Sequence, residues 1–201
     1  MLTSAVMRLY HAPGSRSTRA LWLLEEIGAP YELTIMSRED RDSPDHLDRH
    51  PLGRVPVLED DTGYLFESAA LALQIADTHP DAGLIPAVGT HDRGLVYQWV
   101  LFGMTEIETP GGDAFRFRET DPERAGTALE RYRKAVKVIE NTLDGHDFLV
   151  ADHFTVADLV IGSVLGGVRR LQLVDEFPNV ARYLDRIEGR PARQRAYAIG
   201  T

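Results

Sequence analysis

The chain has 201 residues, of which 43% are hydrophobic, so it is long enough to bury a core in one domain or in two small ones. A formal net charge of -9 and a sequence pI near 5.2 argue against a nucleic-acid partner or an acidic membrane surface, since both need clustered Lys and Arg. The absence of Cys excludes disulfides, thiolate metal sites and a cysteine nucleophile. The seven His are scattered along the chain, so we predict no metal site.

The first predicted elements alternate between strand and helix. Residues 7–10 are typical of a short strand, and after a turn at 11–14 the apolar residues recur at helical spacing. Gly28 predicts the end of that helix. Residues 31–35 alternate as a second strand, and the charged segment 37–49 is expected to be a loop with a short helix after Pro44.

A hairpin is predicted within residues 50–68, HPLGRVPVLEDDTGYLFES. Strands at 55–59 and 64–66 flank a polar turn, and a helix is expected from Ser68 to about residue 79. Pro56 has no N–H for a strand ladder, so it is either a plain edge-strand proline or the second residue of a cis Val55–Pro56 bond. In the second case the backbone of Val55 is expected to face outward and to pair with an extended, peptide-like ligand.

The residues that close this hairpin, Glu67 and Ser68, suit a free amino-acid group. A carboxylate can hold an ammonium, while a hydroxyl and the N-terminal amides of a helix can hold a carboxylate. The alternative for Ser68 is a plain helix N-cap. A ligand with a peptide backbone in its middle and a free amino acid at one end, such as glutathione, fits the whole arrangement.

The rest of the chain is predicted to be helical after a linker rich in Pro and Gly at residues 80–90. Helical spacing of apolar residues extends over 91–107 and 125–143, and the triplet at 110–112, Pro-Gly-Gly, is expected to break or kink the first of these helices.

A second helical signal lies nearer the C-terminus. Thr155-x-x-Asp158 has the form of a capping box that opens a helix apolar nearly all round, which predicts a buried central helix. A last amphipathic helix starts near Pro178 and fades by Gly189, and the residues beyond it are expected to be a tail.

Two of these motifs resemble the soluble, cytosolic-type glutathione S-transferase family. The family pattern is close to N-P-x-G-[KQR]-[VI]-P-x-L, a hairpin and then E-S, and this chain has H-P-L-G-R-V-P-V-L and E-S-A-A. The helix FTVADLVIGSVL resembles the family's [ST]-x-x-D box. The resemblance covers residues 7–191, with His50 in place of the usual Asn, and indicates a serine-type bacterial member.

The resemblance implies an α/β plus all-α architecture. A thioredoxin-like, glutathione-binding domain with a mixed four-stranded sheet is expected at residues 1–83, a linker at 84–90 and an all-helical domain at 91–201. The implied function is a detoxifying transferase that activates the glutathione thiolate for attack on, or reduction of, a small, hydrophobic electrophile. The alternative is a non-catalytic glutathione-binding or partner-binding protein of the same fold.

We assign the role of stabilising the glutathione thiolate to Ser15 by its register in the family pattern. In the serine-dependent subclasses the active Ser lies four residues before an Arg, and Ser15-x-x-x-Arg19 reproduces that spacing. Arg16 and the first-turn amides of the helix would add positive potential. Cysteine-dependent subclasses place Cys where this chain has Arg16, and the S-S-C-x-W-R pattern of maleylacetoacetate isomerases is not met. Ser17 and Tyr10 stay open as alternative hydroxyls, and a plain N-cap role stays open for Ser15.

The binding residues follow from the same resemblance. Val55 and Pro56 would pair with the cysteinyl unit, Glu67 and Ser68 would hold the γ-glutamyl end, and Arg54 would face the glycine carboxylate. His50 either assists Arg54 or merely packs.

The second substrate is expected against the helical domain. Its pocket, for which core packing is the alternative role, would include Tyr10, Trp99, Phe102, Met104 and Phe115. Glutathione is expected as co-substrate, with no further cofactor. A homodimer is implied by the resemblance, and the lack of a secretory signal or an apolar stretch of about 20 residues favours a cytoplasmic protein without a membrane partner.

Overall fold

The structure, a computed structural model, describes residues 7–200. These residues form two compact units: the first holds the chain up to Ala82 and again from Gly189 onward, and the second holds Gly83–Glu188. The predicted first domain ends one residue from this division, whereas the final segment, predicted as part of the helical domain, belongs with the first unit. Within residues 7–200, no helix is long and apolar enough to cross a membrane.

The first unit is built on a four-stranded mixed sheet in the order β2-β1-β3-β4. The strands are β1 Met7–His11, β2 Tyr31–Ile35, β3 Val57–Asp60 and β4 Gly63–Phe66. β1 pairs parallel with β2 and antiparallel with β3, and β3 pairs antiparallel with β4. The predicted thioredoxin-like sheet is therefore confirmed, although both hairpin strands are shifted by one or two residues from their predicted limits.

Helix α1, Ser17–Ile27, is the crossover that a parallel β1–β2 pair requires. Its apolar face is fully buried, with Trp22 at 0% exposure. Gly28 ends the helix at φ 70°, and its N–H donates to the carbonyl of Leu24. This is the left-handed C-cap that the sequence predicted, because only Gly adopts that conformation without a steric penalty.

The charged segment after β2 is more ordered than predicted, since it contains α2, Arg38–Arg41, as well as α3, Pro44–Arg49. Ser37 accepts a hydrogen bond from the N–H of Asp40, and Asp40 accepts one from the N–H of Ser37. This reciprocal capping box stabilises a helix too short for apolar periodicity to reveal.

A C-terminal helix replaces the predicted tail: α11, Pro191–Ala198, packs against α1. Arg190 forms a bidentate ion pair with Glu26 at 2.6 and 2.8 Å, and the ring of Tyr197 meets Trp22 edge-on at 6.4 Å. The tail prediction was wrong because α11 is held by partners far away in the sequence, which local periodicity does not report.

The regular elements of the second unit are all helices, as predicted. Its elements are α5 His91–Phe102, a π-helical segment Gly103–Glu108, α6 Thr109–Arg116, α7 Pro122–Thr142, α8 Val156–Val164, α9 Gly167–Arg170 and α10 Pro178–Glu188. The predicted capping box is present at the start of α8, where Asp158 accepts hydrogen bonds from the N–H and hydroxyl of Thr155. α8 is buried along nearly its whole length, which confirms the predicted central helix.

The predicted helix break at residues 110–112 does not occur, because the chain stays helical from His91 to Arg116. Pro110 lies directly after the π-helical segment Gly103–Glu108, an irregularity of the helical hydrogen-bond pattern next to the residue that has no N–H to donate. Gly111 serves packing, since a Cβ there would stand 2.7 Å from a ring carbon of Tyr132.

Candidate functional site

The register of the sheet brings three predicted site segments to one edge. Tyr10, near the end of β1, pairs with Val57 at the start of β3, and Val57 pairs with Phe66 at the end of β4. The turn after β1, the bend before β3 and the start of α4, Ser68–Thr78, therefore lie beside one another. All three belong to the first unit.

The turn after β1 leaves Ser15 half-buried just before α1. Arg16 stands at the N-cap position of α1 but makes no side-chain capping hydrogen bond, and the carbonyl of Ser15 accepts from the N–H of Thr18, so the capping role predicted as the alternative for Ser15 is compatible with this turn. The Ser15 hydroxyl donates to the carbonyl of Ala12 at 2.7 Å and accepts from the N–H of Ser17 at 3.2 Å. Arg16 is exposed beside it. Ser15 is thus a hydroxyl at the surface of the site, held by its own turn.

The two alternative hydroxyls, those of Ser17 and Tyr10, are less accessible than the hydroxyl of Ser15. Ser17 is completely buried, and its Oγ contacts the Nδ1 of His11 at 2.7 Å. Tyr10 is also buried, and its hydroxyl donates to Glu59 at 2.7 Å. Burial, followed by that carboxylate, raises the pKa of Tyr10. Of the three hydroxyls, Ser15 is the one that a ligand on the surface can reach.

The bend before β3 contains a cis Val55–Pro56 peptide bond. Val55 is buried in one apolar cluster with Ala12, which places the bend against the turn that carries Ser15. Within residues 7–200, the backbone N–H and carbonyl of Val55 make no hydrogen bond. They are therefore available to a peptide-like ligand.

Two neighbours fix the chain on the approach to this bend. The Nε2 of His46, a fully buried residue, donates to the carbonyl of Arg54 at 2.9 Å. Gly53 has φ 58°, and a Cβ there would meet the carbonyl oxygen of Arg41 at 2.7 Å. The side chain of Arg54 is left exposed at the surface. Sequence reasoning missed His46, which no family motif marks.

The start of α4 combines a strained residue with a buried hydroxyl. Glu67 is exposed and adopts φ 73°, a conformation that costs a non-glycine residue about 1 kcal/mol or more and is concentrated at functional sites. Ser68 is the first residue of the helix, so the N-cap role considered for it is wrong. Its Oγ accepts a hydrogen bond from Nη1 of Arg19 at 3.1 Å, which leaves the Ser68 proton available for a ligand carboxylate.

Arg19 is a site residue that the sequence identified only as a marker of register. It is 5% exposed, and its bond to Ser68 ties α1, which begins beside Ser15, to the start of α4. The spacing Ser15-x-x-x-Arg19 was the available signal, but it did not reveal that the guanidinium reaches Ser68.

His50 packs, as one of its two predicted roles required. Its ring lies 4.6 Å from that of Phe66, and its Nδ1 accepts from the N–H of Leu52 at 3.1 Å. Burial, followed by the neighbouring His46, lowers the pKa of His50. A neutral imidazole adds no positive potential, so the other role, in which His50 helps Arg54 to attract a carboxylate, is not supported by this environment.

The predicted second-substrate residues of the helical part are dispersed within the second unit. Trp99 and Phe102 meet edge-on at 5.7 Å, but Trp99 is only 7% exposed and belongs to the core. Met104 lies in the π-helical segment. Phe115 is exposed and lies under the guanidinium of Arg118, 3.9 Å away. Tyr10 belongs to the first unit.

The fold and the site define a thioredoxin-like protein with a helical second unit, in which a reachable hydroxyl stands beside an unpaired backbone bend. Comparisons with known proteins identify the family. Residues 5–77 match the glutathione S-transferase N-terminal domain, and residues 77–191 match the glutathione S-transferase C-terminal domain. The chain belongs to the glutathione S-transferase family.

Individual relatives agree with this assignment. The chain is 32% identical over 205 residues to glutathione S-transferase 4 of Zea mays, covering 96% of this chain and 92% of the relative. A crystal structure of a glutathione transferase from Methylococcus capsulatus superposes with a TM-score of 0.86 at 31% identity, covering 96% of this chain and 97% of that one. A sphingomonad glutathione S-transferase, solved in complex with glutathione, has a TM-score of 0.84 and 29% identity, covering 94% and 96%.

Proposed function

We propose that this glutathione transferase binds glutathione along the Val55 bend and holds its sulfur as a thiolate beside Ser15. The observation that carries the proposal is the convergence of three segments at one edge of the sheet. Ala12 and Val55 share an apolar cluster, and Arg19 donates to Ser68, so the Ser15 turn, the bend and the start of α4 form one connected site.

The charged groups at both ends of glutathione have complementary polar or charged groups in this site. The exposed carboxylate of Glu67 suits the γ-glutamyl ammonium, while the Ser68 hydroxyl and the first amides of α4 suit the γ-glutamyl carboxylate. The exposed guanidinium of Arg54 suits the glycine carboxylate. Between them, the unpaired N–H and carbonyl of Val55 suit the cysteinyl unit, as an added strand would.

The remaining requirement is a thiolate at neutral pH. A free thiol has a pKa of about 8.5, so a decrease of about two units takes roughly 2.7 kcal/mol. A hydroxyl donor such as Ser15 contributes about 1 kcal/mol, and the N-terminus of α1 adds about 0.3–1 kcal/mol. The guanidinium of Arg16, next to Ser15, can supply the rest at about 1.5–3 kcal/mol. The proton leaves to solvent, and the thiolate then forms a carbon–sulfur bond with a small electrophile, which in the case of a chlorinated nitroarene releases chloride. In a reduction, a second glutathione completes the step, so that two thiols are oxidised to glutathione disulfide and the electrophile takes up their two electrons.

The wider setting also belongs to the proposal. We propose a cytoplasmic, homodimeric protein that detoxifies hydrophobic electrophiles with glutathione as its co-substrate and with no additional cofactor. Exposed apolar side chains on α5, Tyr97 and Leu101, support the dimer. A solution mass equal to that of one chain, measured by light scattering, would remove the dimer from the proposal.

Ser15→Ala tests the catalytic assignment. We expect the conjugation rate with a chlorinated nitroarene to fall about twofold at pH 7 and about fourfold at pH 6, because the loss of about 1 kcal/mol raises the thiol pKa by about 0.7 unit and so lowers the thiolate fraction. Glutathione affinity should change little, since Val55, Glu67 and Ser68 remain. The measurement is kcat together with the glutathione Kd from calorimetry.

Ser163→Ala is the matched control, since that hydroxyl donates to the carbonyl of Val160 within its own helix, and it should leave both quantities unchanged. Unaltered turnover in Ser15→Ala would remove the catalytic role from Ser15. Glutathione binding without turnover in the wild-type protein would instead support the non-catalytic alternative.

A further inference from the structure

A buried histidine stands behind Ser15, connected to it through one hydroxyl. His11 is 0% exposed, and its Nδ1 lies 2.7 Å from the Oγ of Ser17. The same Ser17 Oγ lies 2.6 Å from the Oγ of Ser15. Ser17 is fully buried as well, so a short chain of hydrogen bonds runs from the core to the hydroxyl at the surface.

The tautomer of His11 decides which groups donate and which accept along this chain of hydrogen bonds. The Nε2 of His11 is buried and has no hydrogen-bond partner within the described part of the protein. An orphaned buried N–H is rarer in proteins than an orphaned acceptor, so the proton belongs on Nδ1 and Nε2 carries the unpaired lone pair. His11 then donates to Ser17.

Every hydrogen-bonding group then has a role that its distances allow. Ser17 Oγ accepts from His11 and, at 3.1 Å, from the N–H of Ala12. Two acceptors lie within reach of its own proton, the carbonyl of Ala12 at 3.2 Å and Ser15 Oγ at 2.6 Å, and we assign the proton to the nearer, Ser15. Ser15 Oγ accepts from Ser17 through both the hydroxyl at 2.6 Å and the N–H at 3.2 Å. With both of its acceptor positions filled, Ser15 has one proton to give, and a bound thiolate can take it in place of the carbonyl of Ala12.

We propose that His11 and Ser17 are positioning residues that direct the Ser15 proton at the glutathione sulfur and strengthen that hydrogen bond. Chains of hydrogen bonds polarise one another, by about 10–30% per bond. Burial lowers the pKa of His11, so the ring stays neutral at the pH where the thiolate forms. The inference rests on the proposed role of Ser15.

A titration of the bound glutathione thiol tests whether the hydrogen-bond chain from His11 to Ser15 lowers the thiol pKa. The ultraviolet absorbance of the thiolate, followed against pH in the glutathione complex, gives the thiol pKa in each variant. We expect His11→Leu to raise that pKa by about 0.1–0.2 unit, and His11→Asn, whose side-chain N–H can take the place of Nδ1–H, to restore it. In a Ser15→Ala background, His11→Leu should add no further shift, because the effect passes through Ser15.

The possible outcomes separate this inference from the proposed function. A wild-type thiol pKa equal to that of free glutathione would overturn both. A lowered wild-type thiol pKa that rises in Ser15→Ala but not in His11→Leu would overturn only the role of the hydrogen-bond chain. The same conclusion would follow if His11→Leu raised the thiol pKa equally in the wild-type and the Ser15→Ala backgrounds.

NMR of the folded wild-type protein gives a test that needs no variant. The nitrogen chemical shifts of the His11 ring report which nitrogen carries the proton. We expect protonated Nδ1 and bare Nε2. A proton on Nε2 would reverse the direction of the chain and contradict the inference.

Discussion

Ser15 shows how a single residue acquires a role from its neighbours. An isolated serine is a weak donor, with a hydroxyl free to turn toward any acceptor. Here the carbonyl of Ala12, the N–H of Ser17 and the buried Ser17 hydroxyl hold it in one turn. The sequence located Ser15 by its spacing from Arg19, but the hydrogen bonds that hold it depend on the conformation of the turn at residues 12–17, which no apolar period or family motif reports.

Arg54 carries a prediction at the same scale. Its guanidinium is exposed, while its carbonyl is fixed by His46, so Arg54→Ala should remove charge without disturbing the bend. We expect glutathione affinity to fall about tenfold, because a hydrogen bond to a charged group contributes about 1.5–3 kcal/mol when well formed and less when exposed. Calorimetric titration with glutathione at low and high salt measures the loss.

Arg38→Ala is the matched control for Arg54→Ala. Arg38 is another exposed arginine of the first unit, and its replacement changes the net charge equally. Equal losses of affinity in the two variants would show a general effect of charge and would remove Arg54 from the site.

At the scale of the element, α8 depends on one buried carboxylate. Asp158 is 0% exposed and accepts from the N–H groups of Leu149 and Thr155, both at 2.9 Å, and from the hydroxyl of Tyr183 at 3.1 Å. One side chain thereby closes the capping box and also secures the loop before the helix and a residue of α10, Tyr183.

Asp158→Asn should therefore destabilise the protein by about 2–3 kcal/mol, since an amide group would replace one acceptor oxygen with a donor facing a donor. Asp121→Asn is the control, because Asp121 is an exposed N-cap at the start of α7 and Asn caps equally well. Urea unfolding of the two variants measures the difference, and similar losses would contradict the role given to Asp158.

The elements also show where sequence reasoning stopped. β1, β2, the end of α1 and the start of α8 were predicted within a residue, because their limits are set by local signals such as Gly28 and the Thr155 box. The helix α11 was missed because its stability comes from Glu26 and Trp22, far away in the sequence. The site residues His11 and His46 were missed for a different reason: their contacts, with Ser17 and with the carbonyl of Arg54, form across irregular turns that no helical or strand period describes.

At the scale of the whole molecule, buried histidines link stability to pH. Burial lowers the pKa of His50 in the folded protein, whereas the unfolded chain keeps the ordinary value of about 6.5. As the pH falls below that value, the His50 imidazole becomes protonated in the unfolded state while it stays neutral in the folded state, so the free energy of unfolding decreases. Asp158 has the opposite effect, because burial raises its pKa. As the pH falls, the folded state binds a proton on Asp158 before the unfolded state does, and this contribution increases the free energy of unfolding.

His50→Asn isolates the contribution of this histidine. The Asn side chain can keep the acceptor for the N–H of Leu52 but cannot titrate. We expect the loss of stability between about pH 7.5 and pH 5.5 to be smaller in the variant than in the wild-type protein. Urea unfolding at both values gives the comparison, and an identical pH dependence would show that His50 does not carry the effect.

The most direct test of the central claim is proton release on glutathione binding. If the site lowers the thiol pKa from about 8.5 to about 6.5, binding at pH 7 should release about 0.7 proton. Calorimetry in buffers of different ionisation heat measures this number. S-methyl glutathione, which has no thiol proton, should bind and release none, and Ser15→Ala should release less than the wild-type protein. Binding without proton release, or no binding at all, would contradict the account.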